Sequence, residues 1–434
     1  MCKFNEIIGY KTIKEELKEI ADILKNNTIY ENLGACAPTG LLLHGEPGVG
    51  KTMMASALIE ESGLNAFMCK KDQPRETFVA TIKSTFEKAI KNAPSIVFLD
   101  DMDKFANGDG SHPDAEEYVT VQSCIDSIKG KRVFVIATVN VIRNLPTSLR
   151  RAGRFDKILE IKIPTGKDAQ AIISHYLRSK KIVENMDIVA LARILEGLSC
   201  AEIESLINEA GIYAGYKREK SITMEHVLNT YLRSVYDIKS LQFNRNETYD
   251  LSNPNATYSQ IVYHEAGHAV VSEILCPNSV TIVCAHNKYN QYGGFTDYYE
   301  DENFSPIYWK QSRIVCALGG MAGIEQKYGI VCAGSKQDLS RAVSDTYKMI
   351  TQIGTCGLNL CTFGYQEDSA QRLAMQEYVV NAEIEKYYRK AKEIIAQNRD
   401  FFEKIAQNLA QKHVLTSEDI QKLKSSCQIV SVSL

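Results

Sequence analysis

The stretch Gly45-Glu46-Pro47-Gly48-Val49-Gly50-Lys51-Thr52 follows the pattern G-x4-G-K-[ST], in which spaced glycines precede a lysine and a hydroxyl residue. An apolar run, Leu41–Leu43, comes before it, and a helical pattern opens at Met53. Backbone N–H groups of such a loop wrap around phosphate oxygens, and the N-terminus of the following helix adds partial positive charge. A chance glycine-rich turn is the alternative, but the order of strand, loop and helix favours a phosphate-binding loop.

Short apolar runs alternate with helical stretches from residue 40 to Pro164. The runs are Leu41-Leu42-Leu43, Ile96-Val97-Phe98-Leu99, Val133-Phe134-Val135-Ile136-Ala137 and Ile158-Leu159-Glu160-Ile161. Such runs are typical of buried parallel strands, and their alternation with helices indicates α/β architecture. We therefore predict an α/β nucleotide-binding domain over residues 1–164.

The rest of the chain is predominantly helical in its pattern. Amphipathic periodicity predicts a small helical domain over residues 165–235, and the polar, turn-rich stretch 236–257 predicts a linker. Residues 258–434 form the last predicted domain, which is mainly α-helical. Within it we expect a β insertion at Val280–Val283 and Gly293–Tyr299.

The last predicted domain ends in two recognisable segments. A long amphipathic region covers Asn381–Ala410, and the residues from Ser425 onward have the composition of a loose tail.

Charge, cysteine content and apolar runs limit the partners and the cellular compartment that we expect for this protein. The net charge is −3 and no block of five like charges occurs, so charge gives no indication of a nucleic-acid or membrane-surface partner. The 12 cysteines include no CxxC pair and are interpreted as free thiols of a reducing compartment. No apolar run has the roughly eighteen residues that a bilayer span needs, and Met1–Glu6 lacks an apolar signal core. We expect a cytoplasmic protein, with membrane association through a missing segment or a partner left open.

Acidic and polar residues follow two of the predicted strands. Asp100 and Asp101 come directly after Ile96–Leu99, the pattern of a Walker B strand, whereas a helix cap or a solvated loop is the alternative. We expect Lys51 to contact the β and γ phosphates of ATP, Thr52 and Asp100 to order Mg²⁺, and Asp101 to polarise the attacking water.

Three further residues are candidates for contacting the transferred phosphoryl group or the attacking water. Asn140 ends the next strand, where it would position the γ-phosphate or the water. Arg151 and Arg154 cluster before the last strand, and arginines so placed neutralise phosphoryl charge, often from a neighbouring subunit. A surface basic patch is the alternative for the two arginines.

A second motif lies about two hundred residues downstream, at His264-Glu265-Ala266-Gly267-His268, inside an apolar helical pattern from near Tyr258 past Val271. Two histidines four apart project from one helix face, so both imidazoles can hold one Zn²⁺. The intervening Glu265 then reaches a metal-bound water as general base. The pattern predicts zinc-dependent peptide hydrolysis.

Catalytic zinc usually has three protein ligands and one open position. The candidates for the third ligand after His268 are His286, Glu300, Glu325 and Asp338. His286 lies in a polar, turn-like stretch and is the weakest, whereas spacing alone does not choose among the carboxylates.

Taken together, these motifs resemble the FtsH-like ATP-dependent zinc metalloproteases of the AAA class, over about Asn5 to Leu423. The phosphate-binding loop, the Phe98–Asp103 block and the Arg151–Asp156 block are similar to the AAA set. Further matching segments are Gly197–Glu202, Asn208–Ala210, Leu318–Ala322, Gly334–Leu339 and Asn398–Asp400.

The resemblance implies additional residue roles. The match at Gly334–Leu339 implies Asp338 as the third zinc ligand, beside His264 and His268. Ile8 and Gly9 match the family's adenine-contacting segment, and His175 lies where the family's helical lid approaches the base.

The resemblance also implies an assembly and a substrate class. The family forms hexameric rings in which ATP hydrolysis pulls protein substrates toward the zinc sites, and Arg151 and Arg154 would then act on the neighbouring subunit's nucleotide. The implied cofactors are Zn²⁺, ATP and Mg²⁺.

The sequence departs from the family pattern in four places. The family's membrane anchors are absent, and Asp101 replaces the usual Glu, which predicts slow ATP hydrolysis. The translocation loop region, Lys70–Glu76, has no aromatic residue, although Phe67 or Phe78 is a possible substitute. The small Ala322-Gly323 pair also replaces acids, with no assigned consequence.

The sequence most favours an ATP-dependent zinc endopeptidase, and because of these departures two alternative functions stay open. One is an ATP-driven unfoldase or chaperone-like module with weak translocation. The other is a zinc peptidase of unfolded peptides in which ATP serves assembly.

Overall fold

The computed structural model describes residues 3–72, 74–105, 115–183, 186–238, 250–288, 291–298, 306–362 and 369–434. The chain divides into two compact units, Met1–Thr230 and Tyr231–Leu434. The four-segment boundaries predicted from the sequence stay a prediction.

The first unit begins with an α/β domain in which strands alternate with helices. Its elements are α1 Lys11–Lys25, α2 Asn27–Asn32, β1 Gly40–His44, α3 Lys51–Ser62, β2 Asn65–Lys70, α4 Arg75–Lys91, β3 Ser95–Asp100, α5 Glu116–Ser127, β4 Val133–Val139 and β5 Lys157–Glu160. The sheet is parallel in the order β2-β3-β4-β1-β5. This confirms the predicted α/β class, and the four predicted apolar runs fall on β1, β3, β4 and β5, except that Ile161 lies just after β5.

The sheet order explains where a site can form. Strands β1, β3 and β4 are central and almost wholly buried, which is why they have continuous apolar sequences. Because all the strands are parallel, the loops after β1, β3 and β4 leave the sheet at the same edge. Strand β2 was not predicted from the sequence, since this edge strand mixes exposed and buried residues.

The remaining helices of the first unit confirm the helical character predicted after Pro164. They are α6 Gly166–Leu177, α7 Ile188–Ile194, α8 Cys200–Tyr216 and α9 Met224–Tyr236, the last of which continues past Thr230. Helix α8 begins at a capping box, in which Ser199 accepts from the Glu202 backbone and the Glu202 carboxylate accepts from the Ser199 N–H.

The second unit is mainly helical with one small antiparallel sheet. Its remaining elements are α10 Thr257–Leu275, β6 Val280–Lys288, β7 Gln291–Tyr298, α11 Ile307–Tyr328, α12 Lys336–Lys348, α13 Ala370–Gln397, α14 Arg399–Lys412, β8 Val414–Thr416 and α15 Ser417–Ser425. The sheet order is β7-β6-β8, so β6 and β7 form the predicted β insertion. Tyr299 of that prediction lies outside the described residues.

Helix α10 is buried on nearly all sides, as its apolar pattern predicts. It crosses α11 at glycines: a Cβ placed on Gly267 would lie 2.2 Å from the Gly319 carbonyl oxygen. A Cβ on Gly323 would likewise lie 2.5 Å from the Tyr263 carbonyl oxygen. The two helix backbones therefore touch, and this close crossing fixes the position of the residues that α10 carries.

The C-terminal residues correct one expectation, because the segment after Ser425 is packed. Cys427, Ile429 and Val432 lie against the core of the second unit. Asn398 donates to the Val430 carbonyl at 3.1 Å and accepts from the Val430 N–H at 2.9 Å. The sequence alone does not predict this packing, because the segment forms no helix or strand and its partners, such as Asn398, lie elsewhere in the chain.

Part of the predicted linker is described. Residues 239–249 lie outside the described residues. In the part that follows, Tyr328 donates to the Leu251 carbonyl at 2.8 Å, and Ser252 N donates to Asp250 at 2.9 Å. This end of the segment is thus attached to α11. Across the described ranges, no helix combines the length and the apolar character of a membrane span.

Candidate metal centre and nucleotide site

His264 and His268 lie one turn apart on α10, and their rings turn toward the same point. Their Nε2 atoms are 3.0 Å apart, and Asp338 of α12 places Oδ2 at 3.1 Å from His264 and 3.4 Å from His268. The three donor atoms all lie within 4.8 Å of one another. Two imidazole nitrogens and a carboxylate oxygen form a donor set that suits zinc.

The second nitrogen of His268 is also engaged. Nδ1 lies 2.8 Å from the Cys316 carbonyl of α11, so this nitrogen donates and leaves the Nε2 lone pair for a metal. Both rings pack on Gly320, where a Cβ would lie 2.4 Å from His264 Cε1 and 2.5 Å from His268 Nε2. Only glycine leaves room for the two imidazoles at this point of α11.

The arrangement separates Asp338 from the other third-ligand candidates. Glu325 turns toward α13, where it accepts from Tyr388 and pairs with Lys392 at 3.0 Å. His286 lies in β6 opposite Gly293. Glu300 lies outside the described residues. Among the residues that the structure describes, only His264, His268 and Asp338 form a group able to hold a metal.

Glu265 lies beside this centre and is 4% exposed. Thr296 of β7 donates to its Oε2 at 2.8 Å, and Gly294 of the same strand presses on the side chain. Burial raises the pKa of Glu265 above its ordinary value, although the neighbouring His264 and His268 oppose that rise. The carboxylate is thus a stronger base than an exposed glutamate.

The candidate phosphate-binding loop, Gly45–Thr52, follows β1 and runs into α3, in the order of strand, loop and helix that the sequence predicts. Gly48 and Gly50 adopt φ angles of 82° and 96°, which favour glycine and turn the loop into α3. Lys51 is buried and donates to the Gly45 and Glu46 carbonyls, each at 2.8 Å. Burial lowers the pKa of Lys51, and nearby acids, Asp101 first, oppose that change. Pro47 and Val49 complete the loop, and Val49 is buried.

The predicted Mg²⁺ residues are brought together at the sheet edge. Thr52 donates to Asp100 Oδ1 at 3.0 Å, and Thr138 at the end of β4 donates to the same oxygen at 2.8 Å. Lys70, at the end of β2, pairs with Asp100 at 3.3 Å. Thr138 and Lys70 were not predicted, since neither belongs to a sequence motif.

Asp101 follows Asp100 in the left-handed region, with φ 52°. Its Oδ2 pairs with Lys104 at 2.8 Å, and its N–H donates to Thr138 at 2.9 Å. Asn140 begins the loop after β4, and its N–H donates to Asp103 at 3.2 Å. Asp101 and Asn140 therefore flank the same edge that carries Thr52 and Asp100.

The two candidate arginines differ in their surroundings. Arg151 is exposed. Arg154 is 7% exposed, pairs with Asp126 at 2.7 Å and donates to the Ser148 carbonyl at 2.5 Å. Hydrogen bonds from Arg154 and Lys129 lower the pKa of Asp126 to about 2. In this conformation the Arg154 side chain bonds to residues of its own domain, whereas the Arg151 side chain lies at the surface.

The N-terminal segment packs beside α6 and α8. A Cβ on Gly9 would lie 2.9 Å from Asp168 of α6, and Ile8 is partly buried in the same region. Tyr10 donates to the Lys162 carbonyl at 2.8 Å and lies 3.6 Å from the Cys200 thiol. Sequence reasoning missed Tyr10 and Cys200 as neighbours of the nucleotide site, because both contacts are long-range.

His175 lies on a cavity of about 680 Å³ between α6 and α8. Ala201 lines the same cavity, and its N–H donates to the Gly48 carbonyl of the phosphate-binding loop at 3.1 Å. The cavity that His175 lines is thus next to the phosphate-binding loop, whereas the adenine role of His175 stays a prediction.

Neither aromatic residue considered for the translocation loop projects from the domain. Phe78 is fully buried, with its ring 4.8 Å from the Phe105 ring, and Phe67 is partly buried against the same core. Only four residues connect the end of β2 at Lys70 to the start of α4 at Arg75. Lys71 in that connection donates to the Phe105 carbonyl at 2.5 Å.

Family models match the parts of the chain that carry the two candidate sites. The family model of the ATPase family associated with various cellular activities (AAA) matches residues 41–163, and the AAA+ lid domain matches residues 185–229. Peptidase family M41 matches residues 254–423. The chain is therefore an AAA ATPase joined to a metallopeptidase.

Similar curated proteins define the family. The ATP-dependent zinc metalloprotease FtsH of Caldicellulosiruptor bescii is 30% identical, over 97% of this chain and 71% of that protein. The ATP-dependent zinc metalloprotease FtsH 3 of Symbiobacterium thermophilum is also 30% identical, over 97% of this chain and 70% of that protein. The chain belongs to the FtsH family of ATP-dependent zinc metalloproteases, with Zn²⁺, ATP and Mg²⁺ as cofactors.

Proposed function

We propose that this enzyme is an endopeptidase that hydrolyses protein substrates at the centre formed by His264, His268 and Asp338. The observation that carries the proposal is the convergence of these three donors beside the buried carboxylate of Glu265. Zn²⁺ held by these three residues would polarise the scissile carbonyl and lower the pKa of a bound water toward about 7. Glu265 accepts the proton of that water and passes it to the leaving amine.

In the first unit, we assign ATP binding and hydrolysis to the residues around the phosphate-binding loop. Gly45–Thr52 holds the phosphates, with Lys51 on the β and γ groups, and Thr52 and Asp100 order Mg²⁺. Asp101 polarises the attacking water and Asn140 positions it. Ile8, Gly9 and His175 contact the adenine.

The active form is proposed to be a homohexameric ring. Support comes from Arg151, whose side chain is exposed. It belongs to the Arg151–Asp156 block, which resembles the AAA segment whose arginines act on the nucleotide of the neighbouring subunit. Arg154 is proposed for the same role, but it must first exchange its contacts with Asp126 and Ser148. ATP hydrolysis in the ring would deliver unfolded substrate to the zinc centres.

A second candidate function is favoured by the connection between β2 and α4. Four residues without an aromatic side chain offer little to grip a polypeptide, and Phe78 is held in the core. The chain would then cleave unfolded proteins, with ATP serving assembly rather than forceful unfolding. An ATP-driven unfoldase with weak translocation has less support, because the same short connection argues against pulling.

One degradation experiment tests these functions. Casein, which is unstructured, and a tightly folded protein are each incubated with the enzyme, with ATP, without ATP and with a zinc chelator. We expect casein cleavage that the chelator abolishes. ATP-dependent loss of the folded substrate, absent in Lys51→Ala, supports translocation. Loss of casein alone supports the second function, and cleavage that persists in chelator contradicts the zinc mechanism.

A further inference from the structure

Strand β7 presents two different faces to its neighbours. Thr296 and Gly294 contact Glu265: Thr296 Oγ1 is 2.8 Å from Oε2, and a Cβ on Gly294 would lie 2.7 Å from Oε1. Phe295 and Asp297 alternate with them, and alternate residues of a strand point to opposite sides. Thr296 and Gly294, on one side of β7, therefore both contact the Glu265 carboxylate.

The other side of β7 is held by the end of α9 within the second unit. The Tyr236 ring stacks on Phe295 with centroids 3.9 Å apart and an interplanar angle of 9°. Tyr231 and Tyr236 donate to Asp297 Oδ2 at 3.3 and 3.5 Å. Because both faces of β7 are in contact with other residues, the strand holds Thr296 in place beside Glu265.

We propose that Thr296 is a positioning residue for Glu265, which sets the carboxylate orientation that accepts the proton of the attacking water. The proposal rests on the proposed function of Glu265 as general base. A hydrogen bond to Oε2 fixes the terminal torsion of the side chain, which is otherwise broad in glutamate. It leaves Oε1 to accept the proton.

The hydroxyl of Thr296 suits both protonation states of Glu265. Its Oγ1 also lies 3.3 Å from the Glu265 carbonyl oxygen. While the carboxylate is ionised, the hydroxyl donates to Oε2. When the water O–H bond breaks and its oxygen bonds to the scissile carbonyl carbon, Oε1 of Glu265 gains the proton and the Thr296 hydroxyl keeps donating to Oε2. The C–N bond then breaks as the proton passes to the nitrogen of the departing amine, and the Glu265 carboxylate is ionised again.

The test compares Thr296→Val with Thr296→Ser. Valine keeps the β-branched shape and loses the hydroxyl, whereas serine keeps the hydroxyl. With a fluorogenic peptide and saturating ATP, we expect the kcat of Thr296→Val to fall about 10-fold or more, the range for losing a partner that orients an active-site group. KM and bound zinc should stay unchanged, and Thr296→Ser should recover most of kcat.

Thr281 of β6 supplies a matched control. It is a buried threonine of the same hairpin, and no described residue hydrogen-bonds its hydroxyl. Thr281→Val should keep wild-type kcat. A Thr296→Val enzyme with kcat within about twofold of wild type, at full zinc content, would overturn the proposal.

Two further arms keep the test decisive. If Thr296→Val does not fold, Thr296→Ala and Thr296→Ser are compared, since they differ only in the hydroxyl, and equal kcat values would overturn the proposal. If the wild-type enzyme itself shows no chelator-sensitive cleavage, the proposed function fails, which is a different result from an unaffected Thr296 variant.

Discussion

Gly267 of α10 and Gly319 of α11 are in backbone contact, and this contact places the turn of α10 that carries His264 and His268 against α11. A Cβ on Gly267 would lie 2.2 Å from the Gly319 carbonyl oxygen, and one on Gly319 would lie 2.8 Å from the Gly267 carbonyl oxygen. His268 follows Gly267 directly, and Cys316, whose carbonyl orients its ring, lies one turn before Gly319. The same turn of α11 therefore packs against Gly267 and orients the ring of His268, so the helix crossing positions a residue of the candidate metal centre.

Gly267→Ala should destabilise the second unit and loosen its zinc. The added methyl meets backbone atoms, which cannot move aside as a side chain would, so we expect a loss of about 1–3 kcal/mol in the free energy of unfolding. Thermal melting and metal analysis measure the two effects. Gly215→Ala is the control, because a Cβ on this helical glycine meets nothing within 4 Å. Equal melting temperatures for wild type and Gly267→Ala would contradict the close crossing.

Asp338→Ala should remove most of the bound zinc. The two remaining imidazoles leave the metal with fewer than the three protein ligands of a catalytic site. Zinc per chain, measured by metal analysis after gel filtration, should fall far below that of wild type. Asp345→Ala on the same helix is the control, since the Asp345 side chain is 41% exposed and pairs with Lys348 at 3.5 Å. Full zinc occupancy in Asp338→Ala would move the third ligand to another residue.

Arg154 and Arg151 should behave differently when replaced by alanine. Arg154→Ala removes a charged hydrogen-bond partner from Asp126 and from the Ser148 carbonyl, so we expect a loss of stability of about 1–3 kcal/mol. Arg151→Ala should leave the melting temperature unchanged, because its side chain is exposed. If Arg151 acts across subunits, this variant should lower ATPase turnover only where the wild type assembles.

The measurement for the two arginines is ATPase rate against protein concentration, with melting curves in parallel. An Arg151→Ala enzyme that matches wild type at every concentration would remove Arg151 from the proposed intersubunit role. An Arg154→Ala enzyme of wild-type stability would contradict the importance of its contacts with Asp126.

Phe78→Ala should act on stability and not on substrate handling. The side chain is fully buried against Phe105, so the cavity it leaves costs about 3–5 kcal/mol. Met68→Ala is the matched control from the adjoining strand β2, because Met68 is 60% exposed. Urea unfolding compares the two. A Phe78→Ala protein with wild-type stability and lost degradation of folded substrates would instead make Phe78 a substrate contact.

The sequence was sufficient for the fold class because its strongest signals are local. The four apolar runs fall on parallel strands, and the His264–His268 pattern lies on a helix, since each depends on periodicity within one element. Strand β2 and the packing of Val430 on Asn398 were not predictable, because their stability comes from partners far away in the chain.

The candidate site shows the same division. His264, Glu265 and His268 are adjacent in one turn and could be recognised by spacing. The choice of Asp338 needed either the family resemblance or the tertiary structure, which also shows that Glu325 is engaged by Lys392. Thr296 carried no sequence signal, because its contact with Glu265 spans 31 positions and arises only when β7 packs on α10.

The central claim is that Glu265 hydrolyses peptide bonds with the metal held by His264, His268 and Asp338. It is tested most directly by comparing casein cleavage by wild type and Glu265→Gln, each at full measured zinc content. Glutamine keeps the shape of the side chain and cannot accept the proton, so we expect cleavage to fall by about 10²–10⁴-fold while zinc and ATPase activity are retained. Cleavage of casein at the wild-type rate by zinc-loaded Glu265→Gln would contradict the account.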